Sequence, residues 1–353
     1  MKALLLCAGL GTRLRPLTHT RPKHLLPIAN KPVLFDGIER VVAAGLRDIG
    51  IIVSPATRDA IAAAVGDGGR FGARVDYMEQ AEPRGLAHAA QCARAFVGHE
   101  PFLMYLADTI LPDGFQHLIE TFRSPRTDAA VLVAPVDEPS RFGIAEVAAD
   151  RIARLVEKPQ RPASNLAVAG AYVFDQRIFD AIARLQPSWR NEYEITDAIQ
   201  DLIDHGLIVR PCMVPGWWKD TGKPADLLAA NRVLLDRIEP ARLGALDAAS
   251  VAIGRVRIEA GAHVIASRIE GPAIIGRDAR IEHASLGPFA SIGNRATVRG
   301  GAVRDSIVMA SAALELNGAL VEHSVLGERV TLRGHAGSVL TVILADDSSI
   351  GGA

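Results

Sequence analysis

The chain has 353 residues, 49 % of them hydrophobic and 22 % charged, with a formal net charge of −1; a full α/β core fits and leaves about a hundred residues over. The near-neutral balance and an aromatic content of only 5 % exclude the basic field and stacking platform of a nucleic-acid binder. Cys7, Cys92 and Cys212 are few, odd in number and far apart, which excludes a disulfide framework or zinc cluster and fits a reducing cytoplasm.

Residues 3–7 read as a buried strand running into a glycine turn, and no apolar run is long enough to span a membrane. Residues 32–44 predict a helix, with Pro32 near its start and Gly45 at its end. Next come a strand over 48–53, a short helix over 59–65, a strand over 74–80, a helix over 86–97 and an apolar strand over 102–106 that ends at Asp108. This alternation implies a Rossmann-like parallel or mixed sheet covered by helices on both faces. Ligands in such sheets sit beyond the carboxyl ends of the strands, where Gly9–Arg13, Gln80 and Asp108 all fall. The middle section reads as strands over 130–136, 144–147, 152–157 and 168–174, then helices over 177–185 and 195–204. A last helix covers 224–237.

From about residue 248 the period changes. Ile258, Val264, Ile269, Ile275, Ile281, Ile292 and Val298 recur mostly at six-residue intervals, with slips. Hexads with an inward β-branched residue are the sign of a parallel β-helix, and about 105 residues at ~18 per coil give about five or six coils. The expected organisation is an α/β domain over 1–238 followed by a β-helix over 247–353.

The segment L-L-C-A-G-L-G-T-R-L-R-P-L-T-H-T-R-P-K-H-L-L-P-I-A-N-K-P, residues 5–32, carries the most chemistry. Gly9 and Gly11 let backbone N–H groups approach an anion without a Cβ in the way. Arg13, Arg15 and Lys23 follow in one long loop, placed to hold charge that builds on a phosphoryl group. A dinucleotide fingerprint would need a third glycine where Leu14 stands. A Walker loop would need four residues between its glycine and Gly-Lys, followed by Ser or Thr, which the chain lacks. The loop therefore reads as one for a nucleoside triphosphate. Asp108 at a strand end offers a carboxylate of the kind Mg²⁺ takes, and Asp220 in W-W-K-D-T-G repeats that context about a hundred residues later.

These motifs, G-x-G-T-R-L-x-P followed by P-K-x-L-L-P and K-P, resemble the signature of the sugar nucleotidylyltransferases. Over its whole length the chain is similar to the long-form glucose-1-phosphate thymidylyltransferases, whose second domain is a left-handed parallel β-helix. The resemblance implies nucleotidyl transfer from dTTP, or UTP, to glucose 1-phosphate, with Mg²⁺ as cofactor, in a cytoplasmic homo-oligomer with no nucleic-acid or membrane partner. It implies a nucleotide site at Ala8, Gly9, Gly11, Thr12, Arg13, Gln80 and Gly85. In it the Gln80 amide reads a pyrimidine edge and Gly85 lets the backbone approach the base. It implies catalysis by Arg13, Lys23, Asp108 and Lys158, and metal ligation by Asp108 and Asp220. The sugar-phosphate side would be Gly143, Glu157, Lys158, Gly170, Arg190 and Glu192, with Glu157-Lys158-Pro159 matching an E-K-P motif. Ala107 and Thr109 flank the metal aspartate where Gly and Asn are common, and Phe142 stands where Tyr is frequent. Positions 107 and 109 would lie near the nucleoside sugar, which leaves deoxyribose against ribose open, and within the same chemistry the product could be a UDP- or GDP-sugar. Two other classes are an acetyltransferase on the β-helix, for which His263, His283, His323 and His335 form no evident arrangement, and a non-catalytic sensor of sugar nucleotides, against which the five retained charged residues argue.

Overall fold

The computed structural model describes residues 1–351 and divides into two compact units. The first comprises residues 1–10 and 34–220; the second comprises residues 11–33 and the chain from Thr221 onward.

The first unit is built on a nine-stranded mixed sheet. Lys2–Leu6 lies at its centre, parallel to Asp48–Val53 on one side and to Phe102–Leu106 on the other. Arg74–Glu79 extends the first side. The chain thus winds outward from Lys2–Leu6 through two strands and then returns to its opposite edge, so the strand order reverses between Lys2–Leu6 and Phe102–Leu106. A reversal of this kind opens a crevice at the carboxyl ends of the two strands. Beyond it the sheet turns antiparallel through Leu166–Phe174, Gly143–Ala148 and Arg151–Glu157.

The predicted elements are present, with ends shifted by one or two residues, except for one helix. The helix expected over 86–97 breaks at Ala93 into Leu86–Cys92 and Arg94–Val97. The helix Gln116–Arg123 and the strand Val209–Met213 have no counterpart in the sequence reading. Val209–Met213 hides its nature behind Arg210 and Pro211; it pairs only with Ala129–Pro135, and an edge is where a sheet tolerates proline. Alanines at 87, 89, 90 and 93 are fully or almost fully buried in the core beside Leu4, Met104 and Phe179; their small size lets the helix approach the sheet closely.

In the second unit, short strands stack into three parallel sheets of seven, seven and six strands. This three-sided stack is the β-helix expected from the hexads. It begins at Ala241–Arg242, earlier than the readable period, and completes six coils before two strands of a seventh. The higher number follows from shorter coils: register partners step from Val256 to Ala273 and from Ala290 to Ser306. All seven β-branched residues named from the hexads are buried, none more than 1 % exposed. His283 and His323 occupy left-handed corner positions with φ of 49°, a conformation in which His is among the enriched non-glycine residues.

Candidate active site

The turn after Phe102–Leu106 is the best-defined part of the site. Thr109–Ile110 pairs antiparallel with Lys219–Asp220, and Asp220 is the register partner of Thr109. Asp108 and Asp220, 112 positions apart in the chain, therefore stand one residue apart across a two-stranded ladder. The turn is tied from below: the buried Tyr105 hydroxyl donates to the Thr109 carbonyl, and Gly37 makes room for that ring, since a Cβ there would come within 2.8 Å of it. Burial first, and then the carboxylates of Asp36 and Asp108, push the Tyr105 phenol well above its ordinary range, so it stays a donor. Gly170, at φ +77°, faces the same turn; a Cβ would meet Thr109 Oγ1 at 3.0 Å. The Asp108 and Asp220 carboxylates are hard oxygen donors of the kind that suits Mg²⁺, an ion that keeps several waters and needs few protein ligands. Among the described residues no group of three or more metal-ligating side chains occurs.

A cleft of about 370 Å³ opens beside Asp220, lined by Asp137, Arg141, Phe142, Trp217, Trp218 and Lys219 among others. Phe142 and Trp218 meet edge to face at 5.9 Å. The sequence reading marked Phe142 only as a departure from tyrosine, and Arg141 and the tryptophans were not assigned to a site.

Five of the six expected sugar-phosphate residues converge, while Gly170 faces the Thr109 turn instead. Gly143 is the register partner of Glu157, and a Cβ on it would meet Thr196 Cγ2 at 2.6 Å and Glu157 Oε2 at 3.1 Å. Lys158 Nζ lies 3.4 Å from Glu157 Oε1, and Arg190 Nη1 lies 3.7 Å from the same oxygen. Arg190 also pairs with Glu192 at 2.9 Å and with the buried Glu194 at 3.1 Å. Its charge is thus shared among three carboxylates, which leaves Lys158 as the better placed cation for an anion. Glu194, which also accepts from Ser188 Oγ, and Thr196, which donates to Glu157, were not foreseen. Neither belongs to a motif visible in one dimension.

On the base side, Gln80 is buried at the end of Arg74–Glu79. Its amide nitrogen donates to the Gly85 carbonyl at 3.0 Å and meets His88 Nδ1 at 3.1 Å. An amide NH₂ only donates, so Nδ1 accepts and the ring is neutral; burial, followed by Arg84, lowers the His88 pKa accordingly. The donor half of Gln80 is therefore committed to the protein. Gly85, at φ +99°, is required by packing: a Cβ would lie 2.5 Å from the Tyr193 carbonyl oxygen.

Gly9 is exposed and Ala8 buried just past the central strand. In the second unit, Gly11 has φ +66° and packs on Lys23, whose Cβ would lie 2.9 Å from an added Cβ. The Gly11 carbonyl accepts from Thr18 Oγ1. Thr12 and Arg13 lie in the short helical turn Thr12–Leu14, both exposed, with Leu14 buried beneath. This loop is compact, pinned by Gly11 and presents its cation outward.

A family model described as nucleotidyl transferase matches residues 2–237. The chain is 44 % identical over 356 residues to a glucose-1-phosphate thymidylyltransferase of Streptomyces antibioticus, covering 99 % of each. It is 45 % identical over 331 residues to the enzyme of that name from Streptomyces griseus, covering 94 % of this chain and 93 % of the other. A solved Bacillus anthracis protein described as a glucose-1-phosphate thymidylyltransferase, in complex with sucrose, superposes with a TM-score of 0.63 at 33 % identity, over 69 % of this chain and 98 % of that one. With the aspartate ladder at the switch point of the sheet and the match across its first two-thirds, the chain belongs to the nucleotidyl transferase family.

Proposed function

We propose that the protein transfers a thymidylyl group from dTTP to glucose 1-phosphate, releasing pyrophosphate. One observation supports this reading: Asp108 and Asp220, distant in sequence, come within one residue of each other in backbone register at the rim where the sheet reverses. Near-full-length similarity to two thymidylyltransferases supports the choice of base and sugar.

The reaction is an in-line displacement. A phosphate oxygen of the sugar phosphate forms a bond to the α-phosphorus as the bond to the bridging oxygen of pyrophosphate breaks. The attacking group is already an anion, so no general base is needed and catalysis rests on positioning and charge. Ala8, Gly9, Gly11 and Thr12 bring backbone to the nucleotide, and Arg13 clamps a phosphate oxygen pair. Lys23 acts as a point charge on the departing pyrophosphate. Gln80, with its amide nitrogen held by Gly85, presents its remaining acceptor toward the base. Lys158 neutralises the incoming phosphate, Glu157 accepts from sugar hydroxyls, and Gly143, Arg190 and Glu192 complete that side. Asp108 and Asp220 would hold Mg²⁺, whose charge when bound offsets that of the triphosphate.

The same reading takes residues 1–238 as the catalytic domain and 247–353, extended back to the first coil strand at Ala241–Arg242, as the β-helix domain of a cytoplasmic homo-oligomer. No helix among the described residues is long and apolar enough to cross a membrane. Pyrophosphate release, measured for four nucleoside triphosphates against several sugar 1-phosphates, tests the proposal. The dTTP and glucose 1-phosphate pair should give the highest kcat/KM. A higher value with UTP or GTP selects the alternative product, and no release from any pair overturns the reading.

A further inference from the structure

The loop that carries Arg13 and Lys23 continues along one corner of the β-helix. Asn30 Nδ2 donates to the Ile292 carbonyl at 2.6 Å, and the Ala29 N–H donates to Asn231 Oδ1, which also accepts from Ser291. A small cavity of about 160 Å³ remains between Arg21, Leu25, Pro27 and Asn30 on the loop and Gly293, Asn294 and Met309 on the corner. Farther up the same corner, Arg21 reaches the last coils. Its Nε and Nη2 donate to Asp346 Oδ2 at 3.2 and 2.8 Å, and its Nη1 donates to Glu328 Oε1 at 3.1 Å. Thr20 Oγ1 donates to Asp346 Oδ2 as well, at 2.7 Å. The other oxygen of Asp346 accepts the Glu328 N–H at 2.8 Å, so this carboxylate is built into the coil at one end and into the loop at the other. Asp346 is 5 % exposed and Arg21 16 %, a depth at which the attraction is poorly screened. Charged partners raise the Arg21 pKa against its burial.

We infer that Arg21 and Asp346, with Glu328, are positioning residues: the far end of the β-helix sets the place of Lys23, two residues along the loop, for phosphoryl transfer. The inference rests on the catalytic reading of the loop given above. It assigns the β-helix a role in turnover, beyond being a second folded body. Gly11, packed on Lys23, passes the same placement to Arg13. A displacement of the order of 1 Å at such a cation costs on the order of 100-fold in rate.

The test uses the full chain with dTTP, glucose 1-phosphate and Mg²⁺. Arg21→Gln and Asp346→Asn should each lower kcat by about 10- to 100-fold, with the KM for glucose 1-phosphate within threefold of wild type. The double variant should fall no further than the worse single one, because both changes break one link. Asp347→Asn is the control. Asp347 pairs with Arg329 of the preceding coil at 2.6 Å, both side chains more than half exposed, and its change should leave kcat within about twofold, although it too removes a carboxylate and an arginine partner from the last coil. Wild-type kcat in both single variants, an equal loss in Asp347→Asn, or multiplicative losses in the double variant would overturn the inference. Should Asp346→Asn fail to fold, Arg21→Lys decides: it keeps the charge and loses the fork, so kcat should drop at least about threefold, and an unchanged kcat is fatal. Lys23→Ala, measured alongside, separates the two claims. Wild-type turnover there removes the catalytic reading of the loop, whereas an inactive Lys23→Ala with active Arg21 and Asp346 variants removes the positioning role alone.

Discussion

The two units solve opposite problems. The mixed sheet uses each position once: Gly85, Gly143 and Gly170 are each fitted to a different neighbour, and Asp108 meets Asp220 through a single two-residue ladder. The β-helix uses each position many times, so Ile258, Ile275 and Ile292 stack as successive copies of one inward site. A unique environment concentrates chemistry and has no spare part; a repeated one spreads stability over equivalent contacts and contributes chemistry only where another segment docks on it. Damage should therefore be all-or-none for turnover in the sheet and graded for stability in the stack.

The largest effect expected is at the ladder. Asp108→Asn should lower kcat by about 1000-fold, roughly 4 kcal/mol, while circular dichroism and the melting temperature stay near wild type; near-normal turnover would break the contrast at its strongest point. Gly85→Ala comes next. It combines a backbone conformation that essentially only glycine adopts with a methyl group forced onto the Tyr193 backbone, for a loss of roughly 3 kcal/mol. Thermal unfolding should show a midpoint lower by about 6–12 °C. Ile281→Ala, inside the stack, should cost roughly 2–3 kcal/mol, yet leave kcat at 25 °C within about twofold; a collapse of activity would mean that the stack is not graded.

The smallest effect sharpens the comparison through pH. Asp197 is half-buried, and burial first, then Glu194 and Glu157, raise its carboxyl pKa. The folded state then holds this proton more readily than the unfolded chain, so its contribution to stability is fullest at low pH and is lost as pH rises through the raised value. Asp197→Asn removes that loss. Its melting temperature should exceed wild type by more at pH 7 than at pH 4, and the reverse order would contradict the assigned cause.

Much of the fold was legible because periodicity survives in one dimension. Leu4 and Leu6, with Phe102 and Met104 two residues apart on the neighbouring strand, mark one core face of the sheet, and the hexads marked the stack. Val209–Met213 was not legible, since Pro211 masks an edge strand whose only support is its neighbour. The helix 86–97 looked continuous because nothing in its composition announces the break at Ala93. Glu194, Thr196 and Tyr105 escaped notice because each acts through a partner that only folding supplies: Arg190, Glu157 and the Thr109 carbonyl.

The residue types and local spacing alone determined the glycine-and-cation loop, the apolar strand ending in Asp108 and the inward register of the coils, because those features depend on neighbours within a few residues. Only the tertiary structure decided that Asp220 stands beside Asp108, that the Gln80 donor is spent on Gly85, that three carboxylates share Arg190, and that Arg21 reaches Asp346 from 325 residues away. Pairings over such separations are set by sheet register and coil stacking, which no local stretch of sequence encodes.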